Sequence, residues 1–113
     1  MDDGEVRIAR TEALFRDVNE RIAEVQQRFN TDETEFVCEC ADPECTERVQ
    51  ATLDEYERVR ADGTQFLLVP GHEDRRIERV VERPRRHLAV VKKFNAIVAR
   101  TVRRLDPRAE SVS

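Results

Sequence analysis

From Ile8, apolar residues return at Phe15, Val18, Ile22, Val25 and Phe29, with spacings of 7, 3, 4, 3 and 4, and Thr11 fills the missing step. That is the a/d rhythm of a coiled-coil seam. No Gly or Pro interrupts the chain between Gly4 and Pro43, and Glu, Arg and Gln occupy the outer positions. The pattern predicts one helix over 7–29, closed by Asn30-Thr31-Asp32. With only Leu14 beside it, the stripe is narrow and suits a partner helix better than a sheet; the competing reading packs it on the protein's own core.

Beyond the helix the period changes. Glu35–Cys40 alternates and reads as a short strand, and Asp42-Pro43 reads as the cap and first position of a helical turn that would contain Cys45. Thr52-Leu53-Asp54-Glu55 has the form of a capping box, opening a helix that turns Leu53, Tyr56 and Val59 inward and stops before Gly63. Gln65–Val69 is an apolar run closed by Pro70-Gly71, as expected of a buried strand. Residues 78–82 and 87–91 flank Arg83-Pro84-Arg85-Arg86 and predict a hairpin, with Pro84 excluded from any central ladder. A last amphipathic helix presents Phe94, Ile97, Val98, Thr101, Val102 and Leu105 on one face and ends at Asp106-Pro107. The expected fold class is α+β. Its parts are an N-terminal coiled-coil-like helix (1–32), a metal-stapled α+β module (33–93), a C-terminal helix (94–106) and a loose tail (107–113).

Composition calls for a staple, whether a metal, a disulfide or a second copy of the chain. Of 113 residues, 39% are hydrophobic, 39% charged and 5% aromatic, which leaves little for a core. All three cysteines fall within eight residues as Cys38-x-Cys40-x4-Cys45. In a chain with no basic leader and no run of about 18 apolar residues, read as cytoplasmic, such clustering argues for metal before disulfide. Residues i and i+2 of a strand share a face, so Cys38 and Cys40 can address one ion. Tetrahedral zinc takes Cys3His sets, and His72, after a strand and a Pro-Gly turn, is the expected fourth ligand, with His87 as its rival. Four protein ligands leave no coordination position for a substrate. The zinc would be structural, supplying roughly 10 kcal/mol or more of metal-linked folding free energy.

No catalytic residue is assigned. The chain has no Gly-rich phosphate loop and no nucleophile elbow, and Glu73 beside His72 suits a cap better than a base. Phe36–Cys40, Cys45–Arg48, Leu53–Arg60 and Val69–Glu73 together resemble a group of small proteins of Arg-rich, actinobacterial-type genomes. The resemblance spans residues 10–92. It implies that Cys38, Cys40, Cys45 and His72 belong to one module, and it brings no function with it.

Charge changes the picture last. The net charge of −4 conceals a chain divided after Asp74 into a part with −12 and a part with +8. Arg75, Arg76, Arg83, Arg85, Arg86, Lys92 and Lys93 are candidate contacts for nucleic acid or an acidic partner; the plainer expectation is pairing with the protein's own acidic part, since aromatic residues for base stacking are nearly absent. The reading that results is a non-enzymatic zinc-binding regulator or adaptor. It would act through a homodimer or a helical protein partner on Ile8, Phe15, Val18, Ile22, Val25 and Phe29, with no membrane and no small-molecule substrate. Its alternatives are a small nucleic-acid-binding regulator using residues 75–108 and a thiol redox sensor.

Overall fold

Helix α1 runs over Asp3–Phe29 in the computed structural model, which describes residues 3–29 and 32–108. Asn30 and Thr31 of the expected helix stop, and residues 109–113 of the expected tail, lie outside the described residues. After α1 come β1 (Thr34–Val37), β2 (Arg48–Ala51), α2 (Leu53–Arg60), β3 (Gln65–Leu68), β4 (Glu78–Arg85), β5 (Leu88–Lys93) and α3 (Ala96–Arg104). The fold is α+β, as the periodicities predicted. Among the described residues no helix is long and apolar enough to cross a membrane.

The strands form two antiparallel sheets. β1 pairs with β2, placing Phe36 opposite Val49, and the second sheet has the order β3-β5-β4. Pro84 therefore sits on an edge strand, where its missing N–H breaks no central ladder, and β4 is also bulged near Val80 and Glu82. Strand β3 explains its own continuous apolar run: Phe66 and Leu68 face one core cluster and Leu67 the other. The first cluster joins Ala9 of α1, Val98 and Val102 of α3, and Cys38 and Cys40. The second gathers Ala23, Phe36, Val49, Ala51 and Leu88 around Tyr56, whose ring stacks on Phe36 at 4.6 Å.

Three expectations are corrected. Asp42-Pro43 opens no helix: Asp42 accepts from Glu44 N–H, its carbonyl accepts from Cys45 N–H, and the chain passes through a turn into β2. The alternation of Arg48-Val49-Gln50-Ala51, buried at Val49 and Ala51, was the overlooked strand signal. Phe94 precedes α3 and is 52% exposed, because Asn95 caps the helix by accepting from Ile97 and Val98 N–H. Arg108, assigned to a loose tail, is tied to both Glu20 and Glu57. The Thr52–Glu55 capping box, by contrast, is complete in both directions.

The face that α1 buries is one that the hydrophobic period did not mark. Its inner side carries Ala9, Glu12, Ala13, Arg16, Asn19 and Ala23, while Leu14, Val18, Val25 and Phe29 are 62%, 40%, 48% and 67% exposed. Only Ile8 and Ile22 of the seam reach the core clusters, each half-buried, and Phe15 is also half-buried. Each polar inner residue has a specific partner, although Arg16 Nε donates no hydrogen bond and the Glu12 carboxylate accepts none. Arg16 donates to the carbonyls of Gly63 and Val102, both at 2.7 Å. Lys93 forms ion pairs with Glu12 and Glu78, all three side chains being inaccessible to solvent. Arg16 and Lys93 also lie 4.4 and 4.3 Å from the Phe66 ring centre, so one aromatic ring serves two buried cations.

Candidate metal centre

Two loops build the centre. The first leaves β1 at Cys38 and returns to β2, held by hydrogen bonds from Cys38 N–H to Glu47 O at 3.1 Å and from Glu39 N–H to Leu67 O at 2.9 Å. The second is the turn Val69-Pro70-Gly71-His72, closed by His72 N–H to Val69 O at 3.0 Å. Pro70 presets its own φ, and Gly71 has φ +96°, as a type II turn requires at that position. Glu73 accepts from Gly71 N–H, so it caps the turn.

These loops bring Cys38, Cys40, Cys45 and His72 together, with their ligand atoms within 4.8 Å of one another, and the four could hold a metal ion. His72 Nδ1 faces the sulfurs, 3.6 Å from Cys38 Sγ and 3.7 Å from Cys45 Sγ. Cys38 and Cys40 are buried, whereas Cys45 and His72 are half-buried. Val69 N–H donates to Cys38 Sγ at 3.3 Å, a contact that favours the thiolate. His87 is exposed in the β4–β5 turn, in a cleft with Arg48, Arg85 and Arg86, and does not join the cluster.

The sulfurs compete for charge. Hydrogen bonding from Cys38 lowers Cys40 to about 5, while that same bond, together with burial, raises Cys38, and burial raises Cys45. One thiolate is stable among the three; a second and third need a cation to neutralise them. No family model, characterised protein or solved structure matches the chain.

Residues that the sequence reading passed over hold this centre on the helix. Glu39, between two ligands, alternates with them and so read as an outward strand position; it is fully buried, accepting from Asn19 Nδ2 at 2.7 Å and from Leu67 N–H at 3.0 Å. Burial raises its pKa to about 7. The available signal was the 4 and 3 spacing of Glu12, Arg16 and Asn19, which places three polar side chains on one helix face.

The basic segment divides in the structure. Lys93 is buried, Lys92 pairs with Asp62 at 2.8 Å, and Arg85 bridges Glu55 and Glu33. Lys93 therefore offers nothing to an external partner, and Lys92 and Arg85 meet the chain's own acidic part. Arg76 is fastened to Asp74 by two hydrogen bonds, and Arg75 lies 3.9 Å from Glu73. Arg83 and Arg86 are exposed.

Proposed function

We propose that this protein is a zinc-stapled, non-enzymatic regulatory or adaptor module that acts by helix-mediated association. The observation that carries the association is the way α1 faces: it turns Glu12, Arg16 and Asn19 to the core and leaves Val18, Val25 and Phe29 of its heptad stripe exposed, with Leu14 beside them. The exposure of Val18, Val25 and Phe29 has no explanation in the protein's own packing, whereas Ile8 and Ile22 pack against its core clusters.

For the metal, a tetrahedron with Zn–S of about 2.3 Å and Zn–N of about 2.0–2.1 Å has S···N edges of about 3.5–3.6 Å. The separations of 3.6 and 3.7 Å fit it. Thiolates and an imidazole favour zinc over the oxygen-seeking cations, and four protein ligands leave no site for an activated water. The ion would tie loop 38–47 to turn 69–72, compensating for a sparse core. Elemental analysis of purified protein tests this reading. One zinc per chain is expected, lost in His72→Ala and retained in His87→Ala; protein that carries no metal and melts identically with and without chelator would refute it.

The half-exposed position of Cys45 favours a second reading, release of the ion by oxidation. A hydroperoxide would take two electrons from Cys45 and a neighbouring thiolate. The S–S bond forms as the O–O bond breaks, and with two solvent protons the products are water and an alcohol. Zinc released in step with thiol loss under mild peroxide supports this reading, and retention of zinc removes it. Nucleic-acid binding loses support from the internal pairing of Arg85, Lys92 and Lys93.

A further inference from the structure

The stripe on α1 has two unlike edges. Written as heptads, Ile8, Phe15, Ile22 and Phe29 take the a positions and Thr11, Val18 and Val25 the d positions, so Arg7, Leu14, Arg21 and Arg28 line one edge. Arg10 lies further out on the same side. All four arginines are exposed, and among the described residues none forms an ion pair. Asp17, Glu20 and Glu24 lie beside Arg21, on the side of the helix away from the stripe. The other edge is Glu12, Asn19 and Gln26, of which Glu12 and Asn19 are buried in the protein's own core. A docking helix therefore meets one open edge, and it is basic. Between the two, a shallow groove of about 350 Å³ runs along Val18, Ile22 and Val25.

A second copy fits this edge poorly. An antiparallel pairing that sets Phe15 against Val25 and Val18 against Ile22 brings Arg21 against Arg21, and a parallel one directs Arg7 at Glu12, already occupied inside the fold, and Arg21 at Gln26, which carries no charge. A membrane fits less well too, since a seam two positions wide in each heptad matches a facing helix rather than a plane. We infer that α1 docks an amphipathic helix of another protein whose flank beside the apolar stripe is acidic. This rests on the association reading above and specifies the partner's chemistry.

The test uses the full-length, zinc-loaded chain and two fluorescent helical peptides with leucine at their a and d positions, one flanked by glutamate and the other by lysine. The glutamate peptide is expected to bind about tenfold more tightly at low salt, an advantage that shrinks as salt screens the edge. Arg21→Glu with Arg28→Glu reverses the preference; both sites are exposed, so thermal melts stay unchanged. Val18→Glu with Val25→Glu abolishes binding of both peptides. Equal affinity for the two peptides overturns the inference. So does a wild-type dimer by light scattering that Val18→Glu dissolves, which would leave the association reading standing with a second copy as occupant. Binding to phosphatidylserine–phosphatidylcholine vesicles without binding to either peptide overturns it in favour of a membrane surface. A monomer that binds neither peptides nor vesicles takes the association reading down as well.

Discussion

Asn19 and Val37 form a reciprocal pair: Val37 N–H donates to Asn19 Oδ1 at 2.8 Å, and Asn19 Nδ2 donates back to Val37 O at 2.9 Å. The side-chain amide acts as one more rung beside β1, at the residue before the first cysteine. The same Nδ2 reaches Glu39 between the two cysteines. Helix and metal loop are thereby one structural unit, joined by a polar residue at the centre of α1.

Replacing Asn19 by Ala should accordingly cost more than an ordinary helix substitution. It strands the Val37 peptide and one oxygen of the Glu39 carboxylate in a buried place, at about 1–3 kcal/mol for each group left unsatisfied. A loss of about 2–4 kcal/mol in urea unfolding is expected, with faster removal of the metal by chelator. An effect below about 0.5 kcal/mol would show that the amide does not anchor the loop.

Gly71→Ala tests the turn that aims His72. No atom lies within 4 Å of an added Cβ, so the cost comes from φ +96° alone, about 1–2 kcal/mol for a residue with a Cβ. The variant should fold, bind metal more weakly in competition with a chelator, and be partly rescued by Asn, which tolerates this region better. Unchanged metal affinity would mean that the turn does not position the imidazole.

Acid stability should depend on Glu20. Burial opposes its ionisation, but hydrogen bonds from Arg108 and Tyr56 and the Arg60 charge outweigh burial and lower its pKa from 4.5 to about 2. A depressed folded-state pKa means that the carboxylate stabilises fully above pH 4.5 and that this contribution fades as pH falls towards 2. Glu20→Gln should lower stability at pH 7 and flatten the pH dependence between 4.5 and 2. An equally steep profile in the variant would assign acid sensitivity to other groups.

The buried Lys93 group should respond asymmetrically. Lys93→Met leaves the buried Glu78 carboxylate with no cation and is expected to destabilise by about 3–5 kcal/mol. Burial raises Glu12 to about 8, so its protonated form favours folding and stability declines as pH rises from 4.5 towards 8. Glu12→Gln resembles that protonated form and should cost little at neutral pH while removing the decline. Denaturant unfolding at pH 5, 7 and 9 distinguishes the two variants; equal losses in both would contradict the assignment.

Much of this architecture was legible along the chain because it depends on local physics. The capping box at Thr52 and Glu55, the Pro-Gly turn before His72, the edge position of Pro84 and the long uninterrupted helix each follow from residues within one turn of each other. The cysteine cluster was legible for a related reason: three soft ligands within eight residues have few uses other than a shared ion. His72 could be favoured over His87 because a rigid turn lies before it, although only the fold brings that turn against the cysteine loop.

What tertiary structure decided is the direction in which α1 faces. A helix exposes its hydrophobic period in sequence, but the choice of inward face depends on the total free energy of both packings. Here Arg16, Asn19 and Glu12 find their partners on distant segments, through contacts as remote as Arg16 with the Val102 carbonyl. Such partners have no local signature, so the chain by itself left open whether the apolar stripe meets a partner helix or the protein's own core. The same physics consumed Lys93, Lys92 and Arg85, whose charges the sequence could count but whose acidic partners, 30 or more residues away for Arg85 and Lys92, only the folded chain brings within reach.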